Sequence, residues 1–220
     1  MMPIYPPAER TRFGAVLTMA AGSIDAYSYL FHGQVFAGLQ TGNLILLGLN
    51  LAQGHLKYSL RALISILAFF VGTLIIRWLQ RQPTFSQRPI KRQKIVLLYE
   101  IALLLLVACT TQWLPALLTT MLLSITAAAE LQEFRRLNGG PFTPLMMTGN
   151  LRTLAETAFD AFFYRESAAL KKLQATAIIM FMFTLGAAGI VVVTPFLHQF
   201  SLLLPVTALA VGWFLLASAD

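Results

Sequence analysis

Of the 220 residues, 57% are hydrophobic and only 11% are charged, and mean hydropathy is +0.71. A soluble domain carries about 25% charge, and this much apolar surface cannot be buried in one small globule. The composition therefore excludes a soluble protein and makes lipid the solvent. The net charge of +7 does not indicate nucleic acid, because the basic residues gather at the ends of apolar segments rather than on one face.

The chain opens with a polar, Pro-rich stretch, Met1 to Arg12. It lacks the short apolar core and small-residue cleavage site of a secretory signal, so the first apolar segment is expected to be retained. Eight apolar segments follow, at about 13–31, 36–52, 58–79, 94–112, 115–134, 144–162, 173–194 and 201–218. Six are long enough for a helix that needs roughly 20 residues to cross. Segments 36–52 and 144–162 differ, because each carries Thr-Gly-Asn. The Gly and Asn are expected to break an incoming helix, and Thr41 or Thr148 to cap a new one. The polar, basic loop 80–93 is the only real linker. Cys109 stands alone in an apolar run, so no intrachain disulfide is possible.

Thr41-Gly42-Asn43 returns as Thr148-Gly149-Asn150, 107 residues later. The same offset lays Gly33 on Gly140, Asp25 on Gln132, and the run 94–112 on 201–219. One offset that aligns a motif and a distant apolar run points to duplication. The chain reads as a single membrane domain, 1–220, with repeat one at 13–112 and repeat two at 115–220.

Charge decides between two topologies. Basic residues near span ends stay cytoplasmic, and loop 80–93 is placed inside. If all eight segments cross, the basic residues divide eight against seven. If the two Thr-Gly-Asn segments turn back, Arg10, Arg12, Arg165, Lys171 and Lys172 join the inside set. The division becomes thirteen against two, with Arg152 set aside. Each repeat then has three spans and one broken or re-entrant helix. An odd number of spans makes the repeats inverted, with both termini cytoplasmic. Paired discontinuous helices in inverted repeats are a recurring device of secondary transporters.

Asp25 lies two-thirds through the first span, where a charge is costly and marks a pathway or a partner. It reads either as a protonatable or cation-binding group, with Tyr27 nearby, or as a structural carboxylate that caps a broken helix or pairs with an arginine. Free amides at the two short-helix starts suit an anion, with Gln40, Thr41, Gly42, Asn43, Thr148, Gly149 and Asn150 as candidate substrate contacts. The competing reading is packing, in which Gly permits close crossing and Asn joins neighbouring helices. Gln132, the counterpart of Asp25, is expected to face the same site, with Glu130 as a further coupling candidate. The competing reading is that Glu130 and Glu133 are interfacial and neutralise Arg135 and Arg136. Glu100 is expected to reach back to Lys94 or Arg92, Arg152 and Glu156 to pair at i, i+4, and Trp78, Trp113 and Trp213 to anchor at the interface or face lipid. There is no metal motif, nucleotide loop or catalytic triad, so neither an enzyme nor a cofactor is expected.

The runs Gly22-Ser23-Ile24-Asp25-Ala26, Val35-Phe36 and Thr41-Gly42-Asn43-Leu44 with Gly48 resemble the YoaK family of bacterial integral membrane proteins (domain of unknown function 1275). So do Gln132, Arg135-Arg136 and Thr148-Gly149-Asn150 in the second half. Where that family tends to carry Gly, one other residue, then Gln-Asn, this chain reads Glu130-Leu131-Gln132-Glu133. The resemblance implies a multi-pass protein of the bacterial inner membrane and supplies no activity. Topology itself suggests a transporter or channel-like protein for a small, anionic or zwitterionic solute, held near the midplane between the two motifs and proton-coupled through Asp25. The alternative is a non-transporting assembly or regulatory protein. A homo-oligomer is left open, and a lipid-acting enzyme would need a nucleophile–base pair or metal set that the sequence lacks.

Overall fold

The computed structural model describes residues 5–218. The helices are α1 (Thr11–Phe31), α2 (Gln40–Ala52), α3 (Leu56–Arg81), α4 (Pro83–Ser86), α5 (Pro89–Thr110), α6 (Ala116–Glu133), α7 (Met147–Phe163), α8 (Ser167–Leu197) and α9 (Leu203–Ala217). Short 3-10 turns at Pro7–Glu9 and His198–Leu202 and a two-residue-per-strand hairpin, Arg136–Leu137 with Gly140–Pro141, complete the described elements.

Three helical stretches are long and apolar enough to cross a membrane: Leu56–Arg81, Pro89–Thr110 and Ser167–Ala217. The last is 51 residues long and is two helices, because a 3-10 turn begins at His198, whose φ is +50°. α1 and α6 fall outside this set because they are rich in Gly, Ala, Ser and Thr and carry acids. They form the interior: Leu17, Ser23, Leu123 and Ala128 are fully buried. The outer helices instead expose Phe70, Trp78, Phe181, Phe196 and Phe214 to what is lipid in a membrane. At 13 residues, α2 is only about 20 Å long, against a hydrocarbon core of about 30 Å.

The interior helices pack where side chains are smallest. A Cβ on Gly22 would lie 2.1 Å from the carbonyl oxygen of Phe183, and one on Gly186 would lie 2.0 Å from that of Met19. Ser23 adds a hydrogen bond from its hydroxyl to the Gly186 carbonyl at 3.0 Å. With Gly14 beside Ile179, these contacts advance together along both helices, so α1 and α8 run in the same direction. α3 and α6 do likewise. Ser65 meets Ser124 at 2.8 Å, Gly72 lies against Ile125 and Ala128, and Gln80 bonds Gln132.

A shift of 107 residues carries α1 onto α6, α2 onto α7, α3 onto α8 and α5 onto α9, and takes the first residue of α2, Gln40, onto the first of α7, Met147. The packing obeys the same exchange. α1 packs on α8 as α6 packs on α3, α2 on α3 as α7 on α8, and α1 on α9 as α6 on α5.

The expected helix breaks are corrected. Thr-Gly-Asn interrupts no helix: α1 ends at Phe31 and α6 at Glu133, non-helical chain follows each, and the motif lies in the first turn of the next helix. Neither threonine caps. The N-caps are Leu39 and Met146, with similar backbone (ψ 74° and 79°) and no side-chain cap bond. In the first copy Asp25 instead binds the amides of the loop that leads into α2.

Candidate functional site

The chain bends between α1 and α2 so that the amides of residues 37–39 face inward, and the buried carboxylate of Asp25 lies opposite them. Its Oδ1 accepts from the Gly38 amide at 2.6 Å, and the amides of Leu39 and Ala37 also face it. The free donors ahead of α2 thus already have an anion, supplied by the chain.

Asn43 is fully buried and fully bonded. Its Nδ2 donates to the Phe36 carbonyl (2.7 Å), Gln40 Oε1 (2.9 Å) and Ser65 Oγ (2.9 Å), and its Oδ1 accepts from the Phe36 amide (2.9 Å). Gln40 also donates to the Ala37 carbonyl at 2.7 Å. Ser65 passes the network on to Ser124 of α6. These serines were not singled out from the sequence, although a hydroxyl within an apolar segment is a usable signal. A Cβ on Gly42 would lie 3.0 Å from the Phe36 ring, so that position is tight. Thr41 is exposed.

The second copy is looser. Thr148 and Gly149 are exposed, and a Cβ on Gly149 would meet nothing within 4 Å. Asn150 makes one long contact, Nδ2 to Met147 Sδ at 3.5 Å. Gln132 does not join Asp25. Its Nε2 donates to Gln80 Oε1 at 3.0 Å, which holds it against α3. Tyr27 is buried against Phe31 and His32 and hydrogen-bonds Thr111, toward the end of α1. The expected convergence of Gln132 and Tyr27 on the motifs is therefore corrected.

The two bends do meet. A Cβ on Gly38 would lie 2.5 Å from Leu145 Cδ2, and Gly38 and Leu145 are equivalents under the 107-residue shift.

The acids are also redistributed. Glu133 is held by Arg92, with nitrogen–oxygen distances of 2.9–3.0 Å, and by Gln80 at 3.0 Å. Glu133 therefore does not neutralise Arg135 or Arg136, and Arg92 is not the partner of Glu100. Arg136 instead lies 3.6 Å from Glu9. Glu130 and Glu100 are fully buried, and none of their four carboxylate oxygens has a hydrogen-bond partner among the described residues. Arg152 and Glu156 pair at 3.6 Å as expected. Trp113 and Trp78 are exposed and can face lipid, whereas Trp213 packs against the core.

A cavity of about 520 Å³ opens at the far end of α1, lined by Gly33, Gln34, Asn50, His55, Tyr58 and Arg61 among others. Gly33 has φ +92°, and a Cβ there would strike the Arg61 guanidinium. The positive φ favours glycine there, whereas the Arg61 side chain is flexible and can move aside. The cavity does not lie between the two motifs.

Apolar helices, an interior of small residues and two short helices starting at matched points define a helical membrane protein with internally matched halves. The chain belongs to the family described as Protein of unknown function (DUF1275), whose profile matches residues 13–215. It is 23% identical over 204 residues to the UPF0700 transmembrane protein YoaK of Bacillus subtilis (strain 168), covering 90% of each chain. No solved structure matches.

Proposed function

We propose that this protein is a secondary transporter or channel-like protein for a small solute, built from two inverted repeats in the bacterial inner membrane. The observation that carries the reading is the contact of Gly38 with Leu145, two equivalent residues just ahead of the two short helices. Bends of this kind are tolerated at membrane depth only inside protein or beside water, and transporter sites are built at such meetings.

The ends of the helices support the inverted topology. Asn138 bonds Glu9 and Thr11, which brings the start of α1 to the hairpin after α6. Gln80 and Arg92 bring the end of α3 and the start of α5 to the end of α6. The parallel run of α1 and α8 adds Arg165, Lys171 and Lys172 to the same end, which charge assigns to the cytoplasm. Thr120 on α6 bonds the His32 carbonyl and Arg61 lies against Gly33, so α2 leaves and returns at the opposite end. Both termini are then cytoplasmic.

In this reading the solute carries a carboxylate. The start of α7 has exposed Thr148 and Gly149 and no acidic hydrogen-bond partner among the described residues. At α2, a solute anion competes with Asp25 for the amides of residues 37–39. When Asp25 takes a proton, those amides are released, which couples one proton to one bound anion.

The test is uptake of a panel of small carboxylates and amino acids into proteoliposomes under a proton gradient. Asp25→Asn is expected to uncouple or abolish flux, and Asn150→Ala to lower it. Flux that is unchanged in both variants refutes the site. Cysteines placed at Lys57 and Lys171 should label from opposite sides, whereas labelling from one side refutes the re-entrant topology.

The full bonding of Asn43 favours a second reading, a non-transporting assembly or regulatory protein in which the motif is packing. A stable crosslinked partner, with no flux of any panel member, would select it.

A further inference from the structure

Glu130 and Glu100 are the buried acids, among the described residues, whose carboxyl oxygens have no hydrogen-bond partner. Glu130 lies on α6, one turn above Glu133. Glu100 lies on α5, eight residues beyond Arg92, or about 12 Å along the helix. Asp25 and Glu130 lie within electrostatic reach of each other, Glu130 and Glu100 likewise, and Glu100 likewise of Glu133. The four acids are thus linked in series by charge, from Glu133 through Glu100 and Glu130 to Asp25. One end, Glu133, is closed by Arg92 and Gln80 at the basic end of the bundle. The other end, Asp25, is closed by backbone amides under the start of α2. Between them stand two carboxyl groups, 0% and 1% exposed, with no donor to any of their oxygens among the described residues.

We propose that Glu130 and Glu100 are a buried proton-binding pair, each holding one exchangeable proton, that links the Arg92–Glu133 end of the bundle to Asp25. Two buried carboxylate charges within electrostatic reach of each other and without a donor cannot persist in so dry a place. A metal ion would need further oxygens, and no group of three or more metal-ligating side chains occurs among the described residues. The hydroxyl of Thr126 on the same helix is already spent on the Leu122 carbonyl. A proton needs only one carboxyl oxygen.

The titratable and charged groups around the pair are Asp25 on α1, Glu133 on α6, and Tyr99 and Arg92 on α5. α3 brings Gln80 and the Arg77 that bonds it at 3.3 Å. α4 and α9 carry no titratable side chain, and the turn between α8 and α9 carries only exposed His198. Each transfer moves one proton from a carboxyl O–H to the neighbouring carboxylate oxygen, leaving the net charge of the four acids unchanged. The pair deepens the transport reading by naming its coupling ion, but it does not require that reading.

Infrared spectroscopy of the full-length protein in liposomes tests it. At neutral pH the wild type should show carbonyl stretches of two protonated carboxyl groups that shift on exchange into D2O. Glu100→Gln and Glu130→Gln should each remove one band. Asp25→Asn should move the Glu130 band and leave the Glu100 band in place. Absence of protonated-carboxyl bands in the wild type overturns the proposal without recourse to any variant. So do bands that survive both substitutions, or bands that vanish when sodium replaces potassium, which would make the site a metal-cation site. Carboxylate-panel flux without these bands would leave the transport reading intact and remove the proton pair. Bands without flux would do the reverse.

Discussion

Gly186→Ala tests the crossing on which the interior depends. The new Cβ would lie 2.0 Å from the Met19 carbonyl oxygen, whereas ordinary contact begins near 3.4 Å. The obstacle is helix backbone, with no flexible side-chain end to move aside, so α1 and α8 must part by about 1.4 Å. Overpacking of this kind costs about 1–3 kcal/mol. Parting the helices also breaks the bond from Ser23 to the Gly186 carbonyl, worth about 1 kcal/mol. A total near 3 kcal/mol should lower the melting temperature of the detergent-solubilised protein by about 10 °C. Gly22→Ala meets the Phe183 carbonyl at 2.1 Å in the same crossing, so the double variant should cost less than the two singles together. Gly48→Ala and Gly149→Ala enter open space within helices and should be neutral or stabilising by up to about 1 kcal/mol. If Gly186→Ala melts within about 1 kcal/mol of wild type, the close α1–α8 contact is wrong.

The two motif asparagines should part company. Asn43→Ala leaves the buried Phe36 amide without an acceptor and removes one of the two donors to the Phe36 carbonyl, the other being Ser65, which also keeps Ser124; it should cost about 1–3 kcal/mol of thermal stability. Asn150→Ala loses one long sulfur contact and should change melting by less than about 0.5 kcal/mol; equal losses would refute the asymmetry. Arg92→Ala leaves Glu133, whose side chain is fully buried, without its counter-ion and should cost about 3–5 kcal/mol. Glu133→Gln in that background should recover part of the loss. His32 lies beyond the end of α1, and burial, then the charge of Arg61, holds its pKa down at about 4 against 6.5. The folded state therefore keeps it neutral while the unfolded chain takes up a proton. Its contribution is complete above pH 6.5 and is lost as pH falls toward 4, by about 3 kcal/mol at most. His32→Gln should flatten that part of the stability–pH curve, and an unchanged slope would refute the assignment.

Sequence alone was enough for the helices, because lipid demands long apolar runs and polar residues punctuate them. All eight apolar segments became helices with ends within six residues of those read, and the 107-residue offset carries Gln40 onto Met147 as helix starts. Partner choice was not legible. Gln132 bonds Gln80, Glu133 takes Arg92, Thr41 and Thr148 cap nothing, and Asn43 closes on Ser65. A one-dimensional pattern reports which surfaces avoid water and where the chain must turn. It does not report which of several helices arrives opposite a given polar group. That depends on the angle and height at which α1 meets α8 and α3 meets α6, set by the absent side chains of Gly22, Gly186 and Gly72. Only the packed structure brings Gly38 against Leu145 and buries Glu100 and Glu130 without a donor.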